Sequence, residues 1–252
     1  MSNSDSPLGQ RLDRSLGQSL SQSLDPNSLD HDRLVPGFHG ERCASYLAGT
    51  EGAPPRELLL KALGLLEAEA PRAALDLGCG PGRELPPMIR AGLAVTAVDP
   101  YPGMIERSRV LLASQCPEDA AGVQFIQATL EDCAADLRPG AFGLVHAGFV
   151  LPFVLPARFP AAFEALCGAI APGGLLVAQF FGPDDEFIRT AAPGTMTSHT
   201  ASDVARLLEG FSVLHHEEVN REGNIGRGRV KWWHVHHVIA RRRDDERTSN
   251  AG

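Results

Sequence analysis

Between residues 73 and 181 the chain alternates short, continuously apolar runs with stretches of helical spacing. The runs are AALDLG (73–78), LAVTAVDP (93–100), GVQFIQA (122–128), FGLVHAGFV (142–150) and LLVAQFF (175–181). Strands this apolar are buried on both faces. With helices between them they form a parallel sheet joined by right-handed crossovers. Helices are predicted over RELLLKALGLLEAEA (56–70), PGMIERSRVLLASQ (102–115), PARFPAAFEALCGAI (156–170) and ASDVARLLEG (201–210). The first lacks β-branched residues and follows Pro54 and Pro55, which suit a helix start. Thr200 or Ser202 is the candidate N-cap of the last. Two closing strands, FSVLHHEEV (211–219) and RVKWWHVHHVIAR (229–241), have only the turn NREGNIGRG between them. They must pair antiparallel, at or near the sheet edge.

The ends of the chain differ in composition from this body. Residues 1–34 are rich in Ser, Gln and Asp, and Leu8, Leu12, Leu16, Leu20 and Leu24 recur every fourth residue. Such a step winds roughly 40° per repeat around a helix, so the stripe holds no single face. A disordered or partly helical tail is expected there, a globular domain over 35–243, and a second disordered tail over 244–252; RRRDDER (241–247), which crosses that boundary, is expected to be a solvated charge run. The net charge of -8 argues against a nucleic-acid or anionic-membrane partner. No cationic start with an apolar stretch and no membrane-length run is present. The five cysteines, Cys43, Cys79, Cys116, Cys133 and Cys167, are scattered and form no CxxC pair. A reduced, cytoplasmic protein is expected.

The stretch LDLGCGPGRE (75–84) places three glycines after the first strand. In an open α/β sheet, ligands bind at the carboxyl ends of the strands. Gly78, Gly80 and Gly82 leave room for a ligand against bare backbone. Asp99, at the end of the second strand, suits two hydrogen bonds from ribose hydroxyls. A nicotinamide dinucleotide needs G-x-G-x-x-G, which the 78, 80, 82 spacing does not supply. Glu84, at the start of the next helix, is a poor neighbour for pyrophosphate but suits a ligand with an amino group and a sulfonium. A phosphate-binding P-loop is excluded because no Gly-Lys-Ser/Thr follows.

LDLGCGPG followed by VTAVDP resembles the first two motifs of the class I S-adenosylmethionine-dependent methyltransferases. FIQATLED, FGLVHAGFVLPF and IAPGGLLVAQFF resemble the later motifs in order, and the resemblance spans roughly residues 37–241. It implies a Rossmann-like, seven-stranded, mostly parallel sheet with an antiparallel C-terminal pair and helices on both faces. It also implies S-adenosylmethionine as cofactor. Asp76, Gly78, Cys79 and Gly80 would line its methionine half, and Asp99 its ribose. Pro100 with Met104 or Tyr101 would contact adenine from one side, Thr129 and Leu130 from the other. His146 would face the methionine part. The sequence departs from the usual pattern at Thr129 and Gly143, where acids are frequent. The adenine amino group would then meet Glu131, Asp132 or a backbone carbonyl.

The implied reaction is methyl transfer to a small acceptor through S, Se, O or N. His146, His39 and Tyr46 are the candidate catalytic residues, with a histidine as base for a hydroxyl acceptor. Phe38, Tyr46, Phe149 and Phe153 are the candidate acceptor-binding residues. The segment GFHGERCASYLAGTEG (37–52) is a candidate lid or a surface helix. The breaker-rich stretch 181–199 is a second candidate cover. His234 and His236 share a strand face without an evident third ligand, so no metal is expected. Trp232 and Trp233 point to opposite faces, so at most one lines a pocket. The resemblance also admits a non-methylating cofactor-binding protein or a nucleic-acid or protein methyltransferase.

Overall fold

The structure, a computed structural model, describes residues 52–225 and 229–244. Its strands are β1 (Ala73–Leu77), β2 (Ala94–Val98), β3 (Gln124–Ile126), β4 (Phe142–Ala147), β5 (Ile170–Phe181), β6 (Phe211–Asn224) and β7 (Val230–Arg242). The helices are α1 (Glu57–Leu63), α2 (Leu85–Arg90), α3 (Pro102–Gln115), α4 (Leu130–Cys133), α5 (Phe159–Ala169), α6 (Glu186–Thr190) and α7 (Ala201–Leu207). The sheet order is β3-β2-β1-β4-β5-β7-β6. The first five strands run parallel; β7 pairs antiparallel with both β5 and β6. The α/β, Rossmann-like reading and its antiparallel closing pair hold. The order reverses at β1 and β4, so the loops after these strands diverge and leave a crevice at the carboxyl edge.

Two apolar layers flank the sheet. On one face Leu130 of α4, Phe159, Phe163 and Leu166 of α5 and Val204 of α7 pack against Leu75, Val145 and Phe180. On the other, Leu59 of α1, Met88 of α2 and Leu112 of α3 pack against Ala74, Leu144 and Val177. Strands packed on both faces need mostly apolar side chains, which accounts for the runs; Asp76, Thr96, His146 and Gln179 are buried polar exceptions within them.

Several boundaries differ from expectation. The first helix stops at Leu63 because Gly64 caps it, and the LLEAEA continuation turns. Thr200, and not Ser202, caps α7: its side chain accepts from Asp203 N while Asp203 reaches back to Thr200 N. Gly143 has a packing cause. A Cβ there would lie 2.1 Å from the Pro71 carbonyl oxygen, so β4 carries no side chain at the position where an acid is frequent. The tails, the 37–51 part of the candidate lid, and with it Phe38, His39 and Tyr46, lie outside the described residues. No helix of the described residues is long and apolar enough to cross a membrane.

Candidate functional site

β1 delivers the chain into the loop at Gly78, and α2 starts at Leu85. Gly78 and Gly80 have φ of 62° and 54°, a region L-residues rarely adopt. Gly78 also lies against Val150: a Cβ would come within 2.2 Å of its Cγ2. The loop therefore presents bare backbone to the crevice.

β2 ends beside this loop and carries Asp99, which is 5% exposed. Gly80 N–H donates to Asp99 Oδ2 and Tyr101 N–H to Oδ1, each over 2.9 Å. A carboxylate oxygen has a second lone pair, so each can still accept a ligand hydroxyl. Burial raises the Asp99 carboxyl to about 6, against the opposing pull of the two amides.

β1 and β4 pair in register at Asp76 and His146. His146 Nδ1 lies 2.7 Å from Asp76 Oδ1, with both residues buried. Asp76 Oδ2 and His146 Nε2 are buried without a hydrogen-bond partner among the described residues. Burial pushes the Asp76 carboxyl above its ordinary range, and His146 opposes that shift. Two orphaned polar atoms of this kind call for a partner.

Glu84 completes the lower wall. It is 2% exposed and takes Arg56 Nη1 at 2.7 Å, Arg56 N at 3.1 Å and Arg83 Nε at 2.9 Å. Burial pushes its carboxyl up, but His146, Arg56 and Arg83 together hold it below the ordinary value. Glu84 is thus occupied by guanidinium groups.

Opposite the loop stands an aromatic cluster. Phe149 has φ of 59°, the one positive value among the described non-glycine residues. Its N–H donates to Gln179 Oε1 at 3.2 Å. Its ring meets Phe181, Trp233 and His237 edge to face, and the Arg56 guanidinium lies 5.0 Å from its centroid. Phe153 joins through Phe181. Lys231, 1% exposed, pairs with Asp185 and lies 4.1 Å and 3.8 Å over Phe187 and Trp233. Burial lowers its ammonium below the ordinary value, against the pull of Asp185.

The expected residues are brought together in part. Asp76, Gly78, Cys79, Gly80, Asp99 and His146 converge on one loop. Cys79 is a buried thiol whose pKa burial pushes well up, so it is a packing residue. Thr129 caps α4, accepting from Asp132 N and donating to Asp132 Oδ2. Leu130 and Met104 are buried, while Pro100 and Tyr101 are half-buried beside Asp99. Glu131 Oε1 accepts from Leu155 N. Trp233 joins the cluster, whereas Trp232 is on the opposite face and bonds Asn220. Arg56, Gln179, Lys231 and Phe187 were missed. Arg56 carries no motif, but its place directly after Pro54 and Pro55 fixes it at the mouth of α1.

Residues 75–178 match a protein-family model described as a methyltransferase domain. Over 145 residues the chain is 32% identical to a trans-aconitate 2-methyltransferase of Methylobacterium radiotolerans, covering 52% of this chain and 54% of that protein. The chain therefore spans about half the length of the curated relative it matches. Among solved structures, TehB from Haemophilus influenzae superposes with a TM-score of 0.62 at 15% identity, over 79% of this chain and 66% of that one. A Burkholderia thailandensis 1,6-didemethyltoxoflavin-N1-methyltransferase, solved with 1,6-didemethyltoxoflavin and S-adenosylhomocysteine bound, gives 0.54 at 19% identity, over 81% and 86%. At these identities the superpositions speak to the fold.

Proposed function

We propose, from the premise that residues 75–178 form a class I methyltransferase domain, that the chain moves a methyl group from S-adenosylmethionine to a small, partly apolar acceptor. The observation that carries the reading is the Asp99 carboxylate, fixed by the Gly80 and Tyr101 amides beside the orphaned Asp76 and His146 atoms. When bound, S-adenosylmethionine supplies a methyl carbon already activated by its sulfonium.

The residues around it hold and orient. Asp99 accepts the ribose hydroxyls. The glycine loop gives the methionine half its backbone contacts, and Asp76 Oδ2 accepts from its ammonium. Pro100 and Tyr101 flank the base from one side, with Thr129 and Leu130 on the other. Asp76 fixes the His146 ring with Nδ1–H toward the carboxylate, so Nε2 keeps a lone pair. That nitrogen is the base for an acceptor that must shed a proton, and a thiolate or carboxylate acceptor leaves it idle. Phe149, Phe153, Phe181 and Trp233 present ring edges and faces to an acceptor at the carboxyl edge and exclude water from it. Aligning the nucleophile with the methyl group is the main service such a wall provides. Arg56 lies between that wall and Glu84, where it meets an anionic acceptor group. His39, Phe38 and Tyr46 belong to the same proposal as residues of a covering segment.

The trans-aconitate relative makes conjugated carboxylic acids the first acceptors to try. The test pairs calorimetry with S-adenosylhomocysteine and detection of that product after incubation with conjugated acids, phenols and thiols. Binding at one site and acceptor-dependent product are expected. Absence of binding sinks the reading.

A further inference from the structure

The β6–β7 ribbon carries a second group of polar side chains on the sheet face away from Trp233 and His237. Glu218 lies directly opposite His236, and His234 is one step along the same face of β7. His234 Nε2 stands 2.8 Å from Glu218 Oε1, and His216 Nε2 stands 3.2 Å from His236 Nδ1. One ligand atom each from Glu218, His234 and His236 falls within 4.8 Å of the others. A zinc ion about 2.1 Å from nitrogen and oxygen ligands separates tetrahedral neighbours by roughly 3.4 Å, so small side-chain rotations close the gap.

We infer that Glu218, His234 and His236 form a site for a borderline divalent metal ion, Zn²⁺ above all. Two imidazoles and one carboxylate match the donor set that ion favours. His234 and His236 are 6% and 0% exposed, and His236 Nε2 has no hydrogen-bond partner among the described residues. Burying imidazoles beside an exposed carboxylate prepares ligands at little conformational cost. The shell around them is also present. Asp184 Oδ2 lies 3.4 Å from His234 Nδ1, where a carboxylate holds the ring of a metal-bound histidine. At present Asp184 N–H points at that nitrogen over 3.2 Å, which assigns the proton to Nε2, facing Glu218. The ion would displace that proton, and Nδ1–H would then donate to Asp184 Oδ2. Solvent at the exposed Glu218 side would supply the fourth ligand.

The site is a clamp and takes no part in methyl transfer. It ties β6 and β7 to the segment after β5, where Gly182 N–H donates to His234 O and Asp185 Oδ2 accepts from His234 N. Asp185 in turn holds Lys231 in the aromatic cluster.

The test uses the untagged full chain, stripped of metal by chelator and titrated with Zn²⁺ alone, then with Co²⁺. One ion per chain, a rise in Tm and a visible cobalt band of tetrahedral character are expected. Glu218→Gln, on an exposed side chain, keeps the fold and weakens zinc binding by roughly ten- to a hundredfold. His234→Asn, checked by circular dichroism, does the same. Affinity for S-adenosylhomocysteine stays unchanged in Glu218→Gln, which separates this site from the methyl-transfer reading. No zinc binding, or equal affinity in both variants and the unaltered chain, overturns the proposal.

Discussion

Arg56 Nη1 donates to Glu84 Oε1 over 2.7 Å while its guanidinium faces the Phe149 ring at 5.0 Å. One side chain thus joins Glu84, beside the glycine loop, to the aromatic cluster around Phe149. Arg56→Ala removes one of the two guanidinium groups on buried Glu84, leaving Arg83 Nε and the residue-56 backbone N–H, and a loss of about 1–3 kcal/mol in urea denaturation at neutral pH is expected. The Glu84 carboxyl is held below its ordinary 4.5. Its stabilisation is therefore present above that value and is lost as pH falls through the lower folded one. The penalty of the substitution should shrink in acid. A penalty that is constant from neutral to acidic pH would show that the pair contributes through packing only.

Asp99 behaves in the opposite sense. Its folded carboxyl titrates near 6, above the ordinary 3.8. Between those values the folded protein holds a proton that the unfolded chain releases, so this group lowers stability as pH rises through the window. Cofactor affinity moves the other way, because ribose hydroxyls donate to the ionised form. Calorimetry with S-adenosylhomocysteine should show affinity climbing through about pH 6 and levelling above it. Asp99→Asn should flatten that profile, and Asp99→Ala should cost about 2–3 kcal/mol of binding. Unchanged affinity in Asp99→Ala would place the ribose elsewhere.

The glycine loop allows a cleaner test of where the ligand lies. Gly80→Val adds a branched side chain at φ of 54°, in the loop proposed to hold the methionine half. Loss of S-adenosylhomocysteine binding with a retained far-ultraviolet spectrum is expected. A folded variant that still binds would refute the placement.

Phe149→Ala should separate turnover from cofactor binding. The ring meets Phe181, Trp233 and His237 edge to face. Positioning of the acceptor is what it supplies, so the rate with acceptor should fall roughly tenfold or more while affinity for S-adenosylhomocysteine holds. Wild-type turnover in this variant would move the acceptor region toward the covering segments.

The parallel core was legible because both of its faces are buried, which favours predominantly apolar runs at β1, β2, β4 and β5. α3 was legible to the residue, from Pro102 to Gln115, since proline opens it and no breaker interrupts it. The glycine loop and Asp99, proposed as the cofactor half, stood out as three glycines and an acid at strand ends, and the structure brings them side by side. The acceptor side was less legible. Lys231 and Asp185 lie 46 positions apart, and Arg56 and Glu84 lie 28 apart, so no local spacing announces either pair. Glu218 became a third neighbour for His234 only through the pairing of β6 with β7. Thr129 has a further role that no spacing announces: its hydroxyl caps the short helix α4.

β7 lies between β5 and β6, although it is the last strand to be made. As the chain emerges during synthesis, β5 is therefore complete on its β4 side and open on the other until residues 230–242 arrive. That open edge carries Phe180 and Phe181, both of which end fully buried. An unpaired apolar edge is a template for joining a second chain. A polypeptide cut short before Val230 would thus keep its glycine loop and Asp99 yet expose the strand that invites aggregation. Premature stop codons in this stretch should yield insoluble protein, and the cell would meet the defect as a problem of chaperone load before it met one of lost chemistry.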